Sequence, residues 1–184
     1  VMKKLLLTLL LPLITFSSLS YGDELNSLFG ITLYGNAEKH VSSNYIDSNK
    51  YKNLETIEGY FDLTITDKIK TKSPYASSYK VTMDINNIVY GVYGEKEYSN
   101  MTNCQTVLES LLSSLEKRYE IDFEYGENSF PTFKIFSYYY YTSSDDYFAI
   151  QCNEDFEDYS IVMQIFIDTE VLGDAIDEFY DSGL

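Results

Sequence analysis

Histidine, arginine and cysteine are almost missing from this chain: its 184 residues include a single histidine, His40, a single arginine, Arg118, and 2 cysteines, Cys104 and Cys152. Zinc sites draw on clusters of His and Cys, which this complement does not supply. A serine triad would have to use His40, and no G-x-S-x-G elbow is there to present the nucleophile. No G-x-x-x-x-G-K-S/T loop is available to cradle a phosphate. Positive charge is scarce as well, with 13 basic residues against 29 acidic ones and a formal charge of -16. Phosphate backbones and anionic lipid surfaces are held by Lys and Arg, so nucleic acid is excluded as a partner and anionic lipid is disfavoured. Carboxylates are numerous enough to pair for glycoside chemistry, but spacing along the chain fixes no separation in space. The densest acidic group, Glu154, Asp155, Glu157 and Asp158, has neither the glycine nor the closing glutamate of an EF-hand and reads as a solvated turn. On these grounds no catalytic residue, metal ligand or cofactor-binding residue is assigned.

Long apolar runs are equally rare. The one that stands out, Leu5 to Phe16, follows Lys3-Lys4 and precedes small residues at Ser17, Ser18, Ser20 and Gly22, the layout of a secretory signal peptide over residues 1–22. It falls short of the roughly 20 residues of a membrane span. Small residues place cleavage before Tyr21 or before Asp23. Residues 23–184 are then one domain, with no later run long enough to cross a membrane and a periplasmic or secreted location.

Periodic patterns occupy most of that domain. Cys104, Val107, Leu108, Leu111, Leu112, Leu115 and Tyr119 repeat at i, i+3, i+4, i+7 and predict a long helix over residues 102–119. Thr102 and Gln105 form a capping-box pattern at its start, and Lys117 and Arg118 suit its carbonyl end. Phe61, Leu63 and Ile65 predict a strand within residues 59–66. Tyr79, Val81, Met83 and Ile85 predict another, returning through Asn86-Asn87 as Ile88, Tyr90 and Val92, with Ile85 facing Ile88 on the core side. Residues 119–125 read as an edge strand ended by Gly126 to Pro131. Three more strands are expected within 133–142, 147–152 and 159–168. Asn36 should cap a short helix to about Ser43, with a loop from Ser42 to Glu58; Asp168 or Thr169 should cap a terminal helix. The fold class is α+β: a mainly antiparallel sheet with the long helix packed on it, in two α-βββ halves.

An exported chain with two cysteines most simply joins them. Cys104 lies on the apolar stripe of the long helix and Cys152 shares strand parity with Phe148 and Ile150, so both point into one interface. Tyr138 to Tyr141 is the most unusual run among the 19 tyrosines. Strand alternation places Tyr138 and Tyr140 on one side and Tyr139 and Tyr141 on the other, leaving one pair free as a binding face for a protein, peptide or sugar. An AT-rich genome would also enrich Tyr, Asn, Lys and Ile, so abundance by itself carries no function.

The opening Phe29-Gly30-Ile31-x-Leu33-x-Gly35, the short helix to Val41, the Tyr79 to Tyr93 hairpin and the helix ending Leu115-x-x-x-Tyr119 resemble a loose group of exported bacterial proteins of unknown function. The order of elements is similar to that of small periplasmic helix-plus-sheet modules. The resemblance implies an envelope location and no particular activity. Two functions follow as expectations: a non-enzymatic module binding an unknown protein, peptide or envelope component, or an extracytoplasmic hydrolase using carboxylates.

Overall fold

The computed structural model describes residues 25–51, 57–70 and 72–181, with side chains through residue 177. The expected signal peptide lies outside the described residues. The first elements are two short strands, β1 (Ser27–Leu28) and β2 (Ile31–Thr32), paired antiparallel. Phe29 and Gly30 between them both have positive φ, 55° and 81°, the backbone of a type I′ turn. Asn36 caps a single 3-10 turn, Ala37–Lys39, rather than a helix reaching Ser43. The helix α1 (Ser43–Asn49) instead starts inside the stretch expected to be loop, because the Ser42 hydroxyl accepts the Tyr45 amide.

Seven strands build one sheet: β3 (Tyr60–Thr64), β4 (Ser78–Asp84), β5 (Val89–Tyr98), β6 (Glu124–Ser129), β7 (Phe133–Tyr141), β8 (Tyr147–Asp155) and β9 (Ile161–Asp168). Their order is β3-β4-β5-β9-β8-β7-β6, antiparallel throughout. Two meanders thus meet at the β5–β9 pair. The second has four strands, the expected edge strand joining it as β6, displaced to Glu124–Ser129 so that Gly126 pairs with Ser137 instead of ending the strand. The β4–β5 turn also differs from expectation. Asp84 Oδ1 accepts the amides of Asn86 and Ile88, and Asn87 takes a φ of 62°, giving a three-residue loop followed by a bulge. Ile85 is consequently 71% exposed, and Val89 and Val92 take the core positions.

Between β5 and β6 runs the long helix α2 (Met101–Tyr119). Its N-cap is Asn100, whose side chain accepts the Asn103 amide at 2.8 Å, and not Thr102. Cys104, Leu108 and Leu111 are buried in the core on the side that meets β8 and β9, Leu112 is buried as well, and Val107 and Leu115 are half-buried. The Cys104 and Cys152 sulfurs are at bonding distance, 2.10 Å, with Cα atoms 6.1 Å apart. A final helix, α3 (Glu170–Asp181), follows β9 directly. Thr169 caps it, its hydroxyl accepting the Leu172 amide, and Asp168 stays in the strand.

Side chains alternate between the two faces of a sheet. Phe148, Ile150 and Cys152 pair in register with Ile167, Ile165 and Met163, and this face is covered by α2. The opposite face carries Tyr93, Glu95, Gln164, Phe166 and Asp168, and α3 folds over one end of it.

Candidate functional site

A cavity of about 520 Å3 lies on that second face, within the ~300–1,000 Å3 of small-molecule sites. Cross-strand register assembles it. One row runs Thr82, Gly91, Asp168, Tyr147, Tyr141 across β4, β5, β9, β8 and β7; the next runs Lys80, Tyr93, Phe166, Ala149, Tyr139. Leu172 and Ile176 of α3 supply an apolar wall.

The polar end is a group of charges buried together. Asp62 is fully buried, with its carboxylate 2.8 Å from Lys80 Nζ and accepting a hydrogen bond from the Thr82 hydroxyl. Lys80 also lies 4.5 Å from the Tyr93 ring centroid, a cation–π distance. Asp168 is 7% exposed, and its Oδ1 accepts no hydrogen bond. Burial pushes the Asp168 carboxyl up to about 7, because its charged form loses water; the Tyr93 hydroxyl and Lys80 pull it down, and Asp62 adds repulsion. Burial next to Asp168 keeps the Tyr93 hydroxyl well above its ordinary value of 10.0, so it remains a donor at neutral pH. Gly91 makes this packing possible: a Cβ there would collide with Asp168 Oδ1 and the Tyr93 hydroxyl. Beside this group, Gln164 accepts from Gln151 and Asn153 at 2.6 and 2.7 Å and donates to Glu95 at 2.9 Å, which fixes the amides along the cavity floor.

From that end a continuous line of rings leads outward. Tyr93 stacks on Phe166 at 5.8 Å, Phe166 meets Tyr147 at 5.8 Å, and Tyr147 meets Tyr139 at 5.8 Å and Tyr141 at 5.2 Å. Tyr141 is 55% exposed. Burial, reinforced by the neighbouring Tyr141 and Tyr139 rings, raises the Tyr147 hydroxyl to about 12. The Tyr147 hydroxyl therefore stays neutral at ordinary pH and remains a donor.

The four consecutive tyrosines do not share a face. Tyr139 and Tyr141 belong to the open row, whereas Tyr138 packs beside Tyr125 at 5.3 Å and Tyr140 beside Phe123 at 6.1 Å on the helix-covered side. Sequence reasoning did not find Asp62, Lys80, Tyr93, Phe166 or Asp168. Asp62 and Lys80 alternate with apolar residues and read as solvent-facing, and Asp168 read as a possible helix cap. One signal was present in β5, whose two interior glycines are unusual for a strand and mark close approach of other atoms. Gly91 lies under Asp168 and Tyr93, and Gly94 lies under Phe29 and Ala76.

The acidic turn after β8 satisfies itself: Asp155 Oδ1 accepts the amides of Glu157 and Asp158, and Asp158 accepts that of Ser160. Among the described residues no group of three or more His, Cys, Asp or Glu side chains is placed to hold a metal ion. No described helix is long and apolar enough to cross a membrane. Fold and site together define an α+β sheet domain with an aromatic row leading to a partly polar cavity. Comparison with known protein families, with curated proteins and with solved structures gives no match.

Proposed function

We propose that this chain is an exported, non-enzymatic binding module that holds a peptide, protein or sugar of the bacterial envelope on the open face of its sheet. The observation that carries this reading is the unbroken ring row from exposed Tyr141 to Tyr93, ending on the Asp168 carboxyl. Rings on paired strands offer rigid apolar area at low entropic cost, and hydroxyls and carboxamides beside them supply orientation. Periplasmic or secreted placement is supported by the cysteine pair at bonding distance, since such bonds persist in oxidising compartments. The resemblance of the Phe29 to Gly35 stretch to exported bacterial proteins points the same way.

Capture from native envelope extract tests the face. A component retained by the wild type and by Tyr125→Ala, on the other side of the sheet, should be lost from the Tyr141→Ala/Tyr147→Ala double variant with its fold intact by circular dichroism. Equal capture by the double variant would remove this face from the proposal.

A hydrolase is the second reading, favoured by one observation: Asp168, held near pH 7, shares its cavity with Glu95. A carboxyl that keeps its proton near neutral pH can serve as a general acid. This reading requires turnover of a glycoside or peptide substrate that disappears in Asp168→Asn. Binding of the same substrate without turnover by the wild type would leave the module reading alone.

A further inference from the structure

Away from the open face, a depression of about 230 Å3 lies between the β1–β2 turn, the 3-10 turn and the segment after β3. Its rim carries Lys39, His40, Lys68 and Lys70. This is an inversion of the composition, since the chain has 29 acids against 13 bases. Among the described residues the ion pairs within 4.0 Å are Lys50–Asp47, Lys80–Asp62 and Lys134–Glu127, so no described carboxylate lies within 4.0 Å of any of the three rim lysines. Lys68 instead rests over the Tyr45 ring at 5.0 Å.

The floor of the depression is apolar. Ile31, Val41 and Ile65 are buried beneath it, and Phe29 and Ile69 are half-buried at its surface. These walls are held by independent contacts. The Phe29 ring sits over Gly94 and meets Tyr79 edge-on at 4.8 Å. The Ile65 amide donates to the Tyr79 carbonyl at 2.9 Å, and the Ile69 amide donates to the Ile65 carbonyl at 3.0 Å. Burial first, then the charges of Lys70 and Lys39, lower the His40 imidazole below 6.5, so the site already resists further positive charge.

We propose that this depression binds a small organic anion, its charged head among Lys39, His40, Lys68 and Lys70 and a short apolar stem on Phe29 and Ile69. The volume sets the size: at ~30 Å3 per water it equals about eight waters, enough for a head and a short stem and less than a drug-sized ligand needs. The chain's overall negative charge repels anions at long range, but at physiological ionic strength that field fades over about 8 Å, while the rim lysines act at contact. The site is independent of the aromatic row and of what that row binds.

Because the chain has a single histidine, its imidazole proton resonance is a unique reporter at the rim. Full-length exported protein is titrated with hexanoate, hexylammonium and inorganic phosphate in physiological salt. Hexanoate should move the His40 resonance at millimolar concentration and raise the pKa at which it titrates, since a bound anion favours the imidazolium. Hexylammonium should leave it unmoved, and phosphate should bind more weakly than hexanoate. The exposed-site double variant Lys39→Gln/Lys70→Gln should weaken hexanoate roughly ten-fold with thermal stability unchanged. No movement with hexanoate, equal movement with hexylammonium, or an unaltered affinity in the double variant overturns the site. Phosphate matching hexanoate overturns the role of the apolar floor and with it the amphipathic ligand.

Discussion

Asp168 ties the chemistry of the open face to the stability of the chain. Its carboxyl titrates near 3.8 in an unfolded chain and near 7 in the folded one, burial being the main cause. Between those values the folded state holds more protons than the unfolded state, so stability falls as pH rises through the window and levels off above it. At about 1.4 kcal/mol per pH unit, the ionised form costs the fold on the order of 4 kcal/mol above pH 7. Asp168→Asn keeps the shape and removes the charge. Urea denaturation should show it more stable than the wild type at pH 8 and equal to it at pH 4; the same difference at both pH values would mean that Asp168 does not titrate in this way. Such a residue was not legible from its neighbours in sequence. Ile-Asp-Thr before an apolar stripe is also how a helix cap is written, and only the pairing of Asp168 with Gly91 and Tyr147 places it inside.

At the scale of elements, α2 shows where local pattern is sufficient and where it is ambiguous. The stripe of Cys104, Leu108, Leu111 and Leu112 is buried as its spacing requires, because helical geometry puts those positions on one face. The cap lies two residues before Thr102, since Asn100, Thr102 and Ser99 are all able to accept an amide and the choice depends on where β5 releases the chain. Asn100→Ala should therefore lower the urea midpoint by the equivalent of about 1 kcal/mol, and Thr102→Ala should leave it near the wild-type value. A larger loss for Thr102→Ala would return the cap to that residue. The β4–β5 turn departs from the two-residue form for a similar reason. Asn86-Asn87 permits a two-residue turn, but Asp84 collects the turn amides and shifts the register, which turns Ile85 out to solvent.

Across the whole molecule, the Cys104–Cys152 link joins the long helix to β8, near the middle of the sheet. It closes 48 residues that include all of β6 and β7, so the loop-closure relation assigns it about 4 kcal/mol. Reduction should lower the urea midpoint by that equivalent; a reduced protein with the oxidised midpoint would show that the link adds nothing. The helix, the link and the β1–β2 hairpin all crowd one side of the sheet. The other side is left to α3 at one end and to the ring row along the rest.

Periodicity alone determined that this chain is α+β with a long helix on an antiparallel sheet, and the helix stripe that holds Cys104 together with the strand parity of Cys152 pointed both cysteines into one interface. Those properties depend on residues a few positions apart, where the geometry of helix and strand is fixed. Only the tertiary structure decided that β5 pairs with β9. That pairing turns two meanders into one sheet and carries Lys80, Tyr93, Phe166 and Tyr139 into a single line. It likewise decided which acids are buried, because alternation says that Asp62 and Asp168 leave the helix-covered face but not what they meet on the other. The face a side chain points to is a local property; its company there depends on strands distant in sequence, and in this protein that company makes the site.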